Sequence, residues 1–546
     1  MPRSLRTALA VILLVLAGQR RAAAAITLDA NFDSGSLKSY TVAGDTVRLV
    51  GRDSYAGSGN NLGEGHWRWL YFKASGVQGL TPTFSIEGPF ASDATPGPHE
   101  LSQHEMVYSY DGANWSFFPG ANNTLLNTGD SNPANDLFTF RASAPFTQND
   151  VYVAYALPYP YSRTVAHTQA VLDSPWAAPT ASASAGGVIG QSPAGVDDLG
   201  RSIPALDLFA YRITNPATDG AAPKRKAMIV AGQHAAETLG LYTFEGLVDW
   251  LASDDPRAAA LRDKAEVFCY PTLNASGRFA GLTRAMLQWP NTDSNGYWHP
   301  GPSGNDYNSP QRTEQQLNAE AMRADNASTP AGLDLFVDFH SSVPDWEITG
   351  PNGWGPDGRD DWGYITNNAA SLNNPWWLAF RALQPNILQV NSGTGPTSRT
   401  STGFALNTSY GLGAAMSVTF ENQFAISRPV AYYHELGKNA GLAMYQAWIR
   451  TSNPQPGDFD EDGDVDGGDL AAWTLGHGQP RPAAHYHGDA NGDGDVNGAD
   501  YLIWQRQYAV GTSTAVPEPR AAALAGLPLL ALLASRYARR RSLCAA

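Results

Sequence analysis

The sequence predicts a multidomain chain: a β-sandwich over residues 26–175, an α/β domain with a mixed sheet over 176–450, and a small α-helical module over 458–510. Three observations carry that prediction. Short aromatic and alternating runs separated by Gly, Pro, Asn and Asp fill the first region, as in a fold of many short strands. In the second, three apolar strands run directly into residues that can ligate a metal or move a proton, and one of them opens a helix. In the third, one acidic loop pattern recurs in a single register, with Asp458 and Asp489 as its 31-spaced starting points.

Taken in order, Arg3 and Arg6, the apolar run ALAVILLVLAG and the small run Ala22 to Ala25 read as a signal peptide over residues 1–25, cleaved near Ala24 or Ala25. The strands of the sandwich are expected in WRWLYFKA, TPTFSIEG, EMVYSYDGANW, DLFTFRA and NDVYVAYALPYPYS. Their aromatic side chains are ordinary filling between two sheets, and a glycan-binding surface is the alternative use for them.

The α/β domain carries the chemistry. AMIVAGQHAAE delivers His234 and Glu237, DLFVDFH delivers His340, and MSVTFE delivers Glu421. In an open α/β sheet the crevice lies beyond the carboxyl ends of the strands, so residues scattered in sequence can meet there. His234 and Glu237 are three apart where a helix begins, which turns both side chains toward one point. His340 fits as the third ligand. Two imidazoles and a carboxylate make an open zinc site, with a fourth position for a water whose pKa falls to about 7. The plain alternatives are a surface His-Glu pair, a satisfied core histidine and an arginine-paired Glu421. The order and context of the three segments favour one catalytic zinc.

At these residues the chain resembles the M14 zinc carboxypeptidases, whose signature is H-x-x-E, an arginine, a D-x-N-R segment, a later His at a strand end and a catalytic Glu near the C-terminus. The resemblance implies zinc ligands His234, Glu237 and His340. Within YPTLNASGRFAGLTRAMLQWPNTDSNGYW, it implies that Asp293 accepts the other ring proton of His234. Arg284 would stabilise the oxyanion, and Asn295 would help to hold the substrate's terminal carboxylate. Glu421 corresponds to the general base, and Tyr410 is the nearest candidate for a capping tyrosine. The departure is Gly296, which stands where the family has the arginine that clamps the terminal carboxylate. Arg278, Arg312 and Arg399 are the candidate substitutes. ANFDSGSL, WLYFKASG and VYVAYALPYPYS further resemble the N-terminal domain of the cytosolic carboxypeptidase branch, so that the likeness covers about residues 26–450. An exported zinc metallocarboxypeptidase acting on a peptide or protein is implied. A zinc amidase or deacylase without strict C-terminal specificity is the rival that Gly296 favours, and a non-catalytic surface-binding protein is the rival from another class.

TSNPQPG at 451–457 reads as a linker. Beyond it, Asp458, Asp460, Asp462, Gly463, Asp464, Asp466 and Asp469 repeat as Asp489, Asn491, Asp493, Gly494, Asp495, Asn497 and Asp500. Oxygen ligands at loop positions 1, 3, 5, 7, 9 and 12 with Gly at 6 are the pattern of an EF-hand calcium loop. Two structural calcium ions are expected. One helix after each loop, GDLAAWTLG and ADYLIWQRQY, makes the pair resemble a type I dockerin, which implies a cohesin-like partner. Gly467, Gly468, Gly498 and Ala499 occupy the positions where that family often has Ser-Thr, and a calcium-stabilised spacer is the alternative.

Of the net charge of −15, residues 458–500 contribute −10, from 11 acidic residues and one arginine. The acidity is thus metal ligation, and with no basic stripe elsewhere nucleic acid is excluded as a partner. Val516-Pro517-Glu518-Pro519, the apolar AAALAGLPLLALLAS and Arg536, Arg539, Arg540 and Arg541 resemble a PEP-CTERM sorting tail over 516–541. That resemblance implies a Gram-negative cell envelope or extracellular location, reached through a sorting machinery, with an apolar stretch short for a permanent span. With Cys269 in a buried-looking strand and Cys544 in the tail, no disulfide framework is expected.

Overall fold

The computed structural model describes residues 25–52, 69–87, 104–126, 128, 135–289, 293–300, 306–308, 312–342, 361–366, 368–391, 401–423, 428–450, 454–478 and 483–511. Nearly all of the expected signal peptide, Arg399 and the expected sorting tail lie outside these residues. The chain divides into two compact units, one of Met1–Asp254 with Leu261–Trp448, the other of Asp255–Ala260 with the chain from Ile449 onward.

In the first unit, residues 27–154 form two five-stranded sheets. One orders Thr27–Asp29, Tyr71–Ser75, Asp150–Ala154, Val107–Ser109 and Trp115–Phe117; the other orders Ser39–Ala43, Thr46–Val50, Thr83–Glu87, Leu137–Phe140 and Thr124–Leu126. Their strands show the period of two that a half-buried sheet requires: Phe138 and Phe140 are buried and Leu137 and Thr139 are not. Phe72 of the first sheet and Phe84 of the second meet with ring centroids 5.7 Å apart. The run ALPYPYS does not extend the last strand. Pro158 and Pro160 lack the N–H a ladder needs, and Pro160, with φ −65° and ψ 158°, is the N-cap of the helix Tyr161–Leu172.

An eight-stranded mixed sheet follows, in the order 177–179, 211–213, 265–270, 225–231, 335–342, 416–423, 362–365, 388–391. Its four central strands, from Ala265–Tyr270 through Arg225–Ala231 and Leu335–Ser342 to Met416–Gln423, pair in parallel. Parallel strands covered on both faces must be apolar almost throughout, and RKAMIVA is buried from its second residue on. The helix Thr238–Leu251 lies against this sheet at close range: a Cβ on Gly240 would come within 2.7 Å of the His340 carbonyl oxygen. Glycine there sets the distance between the helix and the His340 strand.

Glu314, at the start of the helix Thr313–Ala327, is buried and accepts hydrogen bonds from Ser276 N and Oγ, both 2.9 Å. Burial pushes its carboxyl from 4.5 up to about 7, against the Ser276 bonds. A folded-state pKa raised above the unfolded value means that the unfolded chain releases this proton first. The contribution to stability is therefore complete below about pH 4.5 and is lost as pH rises through about 7. Glu314→Gln is expected to flatten the pH dependence of denaturant midpoints between pH 5 and 8; an unchanged slope would mean that Glu314 is not its source.

In the second unit, the helices Gly467–Gly476 and Gly498–Gly511 each follow an acidic loop. Asp466 caps the first helix and forms a capping box with Asp469. The two halves lock reciprocally: Trp473 Nε1 donates to Asn497 O and Trp504 Nε1 to Asp466 O, both at 2.9 Å. Each tryptophan thus binds the same position of the other repeat. Phe459, Val465, Ala472 and Trp504 form the small core between them. Among the described residues no helix is long and apolar enough to cross a membrane, and Cys269 is buried as a free thiol.

Candidate active site

The strand Arg225–Ala231 is followed by Gly232, whose φ of +70° turns the chain left-handed at a position where a Cβ would crowd Thr272 and Arg278. His234 and Glu237 lie on the turn this creates. The helix itself begins at Thr238, with Glu237 as its N-cap residue, so the expected placement of the pair within a first helical turn is corrected by one turn. The cause is local: the chain must leave the sheet before it can coil. That turn is tied down from below, since Arg278 donates to His234 O at 3.4 Å and to Tyr159 O at 3.2 Å, and Ser294 Oγ donates to Gln233 O at 2.6 Å.

His340 arrives from the neighbouring strand, in register beside Glu421 of the next. Ligand atoms of His234, Glu237 and His340 all lie within 4.8 Å of one another, and the three residues are buried. His234 Nδ1 is 2.6 Å from Glu237 Oε1, and His340 Nδ1 is 2.8 Å from Glu237 Oε2. Ser341 N also donates to Oε2, at 3.0 Å. Burial alone would raise the Glu237 carboxyl, yet the two imidazoles hold it well below its ordinary range. For His340, burial opposes the charge, but Asp338 and Glu237 lift its pKa well above the ordinary value. The donor set suits zinc: two nitrogens and a carboxylate face one point while the outer nitrogens, His234 Nε2 and His340 Nε2, lie 2.9 Å from Asp293 and 3.0 Å from Asp338.

Asp293 Oδ1 thus lies against the outer nitrogen of His234. Arg284 is also at the site, with Nη1 3.1 Å from Glu237 and Nη2 3.0 Å from Asp293, so its guanidinium is held by the site's own carboxylates. Burial would raise Asp293, and Arg284 and His234 override it and hold it low. Glu421 Oε2 is buried without a hydrogen-bond partner. Burial and the Glu237 charge push the Glu421 carboxyl up to about 7, against His340, His234 and Arg284. Asn295 binds Asp293 Oδ1 through its backbone N–H at 2.8 Å and accepts from Ser401 N at 3.3 Å.

Tyr410 is not gathered in with these residues. It is 55% exposed, and its ring packs 6.1 Å from that of His299. Of the candidate clamps, Arg278 is fully buried beneath the His234 turn, and the Arg312 guanidinium lies 3.6 Å from the Tyr297 ring centroid and 4.7 Å from that of Trp289. Sequence reasoning missed Asp338 and Ser401. A polar residue two before His340 in a buried strand was the available signal, because residues i and i+2 share a face.

The sequence profile of the zinc carboxypeptidase family M14 matches residues 192–349, which include all three candidate ligands. This segment is an M14 zinc carboxypeptidase domain. Cytosolic carboxypeptidase 2 of Danio rerio is 24% identical to this chain over 229 residues, 41% of this chain and 30% of its own length. Cytosolic carboxypeptidase 6 of Homo sapiens is 30% identical over 103 residues, 19% of this chain and 20% of its own. The chain thus spans under a third of these relatives' length. Among solved structures, the metallo-carboxypeptidase from Burkholderia cenocepacia aligns with a TM-score of 0.54 at 22% identity, over 77% of this chain and 97% of that one. The metallo-carboxypeptidase from Pseudomonas aeruginosa aligns at 0.52 and 20% identity, over 77% and 98%. The M14 domain therefore has a metallo-carboxypeptidase fold.

Proposed function

We propose that this chain is an exported zinc metallocarboxypeptidase in which Glu421 is the general base. The observation that carries the reading is the buried convergence of His234, Glu237 and His340 with Glu421 in register beside His340. These three residues would hold the zinc, which when bound supplies a Lewis acid and an acidified water. Glu421 would take a proton from the attacking water and return it to the leaving amine. Arg284 would turn from Glu237 and Asp293 toward the developing oxyanion, and the Asn295 side-chain amide would face the substrate's carboxylate. Gly296 favours a second reading, an amidase or deacylase with the same metal site and no carboxylate clamp. One zinc per chain is expected to survive dialysis and to be lost in His340→Ala. Elemental analysis finding no zinc in the wild type, or a peptide library left intact by the zinc-loaded chain, would overturn the enzyme reading.

The N-terminal sheets support a sandwich domain of the cytosolic carboxypeptidase type, and the second unit supports a dockerin-like calcium module. Asp458, Asp460 and Asp462 converge. Asp458 Oδ2 and Asp489 Oδ2 each accept the N–H of the glycine five residues on, Gly463 at 3.1 Å and Gly494 at 2.8 Å. Asp469 and Asp500 instead close their loops on backbone N–H groups of Phe459, Asp460 and Asp466 and of Ala490, Asn491 and Asn497. A ligand at 100 times its Kd stabilises a fold by about 2.7 kcal/mol. Stripping calcium with a chelator is accordingly expected to lower the melting temperature of this module and open it to protease, and a melting curve indifferent to calcium would remove the assignment.

A further inference from the structure

We propose that Asp338 is a positioning residue for the metal site, fixing the ring of His340 with Nδ1 turned toward the point shared with His234 and Glu237, and that Ser401 holds Asp338 in place. The inference rests on the zinc reading above. Asp338 and His340 are two apart on one strand and so share a face. Asp338 is fully buried, its Oδ2 lies 3.0 Å from His340 Nε2, and the same oxygen meets the Ser401 hydroxyl. Its Oδ1 has no hydrogen-bond partner.

A buried carboxylate is costly unless charge and hydrogen bonds compensate it. Here that cost is placed in register between Val230 and Thr419, on the central strands of the sheet. The arrangement matches the other histidine: His234 presents Nδ1 to Glu237 and Nε2 to Asp293, 2.9 Å away. Both imidazoles therefore have a carboxylate behind them and Glu237 in front. A carboxylate facing the outer nitrogen of an imidazole favours the tautomer protonated there and makes the inner nitrogen a stronger ligand. His234 Nε2 is hydrogen-bonded to Asp293, whereas His340 Nε2 meets Asp338 as a charge contact at 3.0 Å without an aligned hydrogen bond. Ser401 extends the chain of contacts, since its N–H donates to Asn295 Oδ1 at 3.3 Å. The helix Ser401–Leu406 thus bridges Asn295 and the carboxylate behind His340.

The test is zinc affinity of the full chain, measured by competition with a chromophoric chelator, together with the visible spectrum after cobalt substitution. Asp338→Asn keeps the shape and removes the charge. It is expected to weaken zinc binding about 10- to 100-fold and to shift the cobalt bands. Ser401→Ala is expected to act in the same direction and more weakly, and Asp293→Asn serves as the benchmark for the other histidine. Asp338→Asn that folds but binds zinc within twofold of the wild type, with unmoved cobalt bands, overturns the proposal. Should Asp338→Asn not fold, Ser401→Ala with wild-type zinc affinity overturns it. A wild type that holds no zinc removes the underlying reading and this inference with it, so the two failures are distinct.

Discussion

Glu421→Gln is expected to lower kcat by on the order of 10²- to 10⁴-fold while the zinc content stays that of the wild type. Glutamine keeps the size of the side chain and cannot accept the proton of the attacking water. Glu421 is not among the three residues whose ligand atoms converge, so the metal has no reason to leave. KM should change little, because the lost interaction belongs to the transition state. Peptide hydrolysis with the variant and its zinc content are the two measurements. Near-normal turnover would make Glu421 a structural carboxyl, and zinc lost along with activity would make it part of the metal's support instead.

A peptide with an amidated C-terminus is expected to lose less than about tenfold in kcat/KM against the free acid. The reason is what faces the place of the missing clamp. Gly296 has no side chain, Arg278 is committed to the carbonyls of His234 and Tyr159, and Arg284, beside Glu237 and Asp293, is the group assigned to the oxyanion. Asn295 remains among the described candidates, and a neutral hydrogen bond contributes about 0.5–1.5 kcal/mol, or roughly 2- to 10-fold. A bidentate arginine would discriminate by more than about 100-fold. A loss of that size would show a guanidinium in the pocket. Arg312, stacked on Tyr297 beside Gly296, is then the residue whose change to alanine should abolish the discrimination.

That His234 and Glu237 follow one parallel strand, and that His340 and Glu421 stand near the carboxyl ends of two others, was legible because a parallel strand covered on both faces must be apolar along its length, so a polar residue near its end stands out. Asp293 and Arg284 came only from the resemblance. Nothing in their spacing says that Arg284 reaches Glu237. Asp338 stands in DLFVDFH, but that run does not say that it meets Ser401 from another segment.

Local chemistry decides where a strand stops, which loop can surround a cation and which residues can share a strand face, since period and turn geometry act over a few residues. The two acidic loops, the apolar strands and the candidate ligands near their carboxyl ends are therefore present in the chain as written. Distances between segments are another matter. That Glu237 lies between two imidazoles, that each imidazole has its own carboxylate behind it, and that Arg278 sits beneath the turn while Arg312 stacks on Tyr297 depend on strand order and on how close Gly240 lets a helix approach the sheet. Those are sums of long-range packing contacts, and no window of sequence contains them.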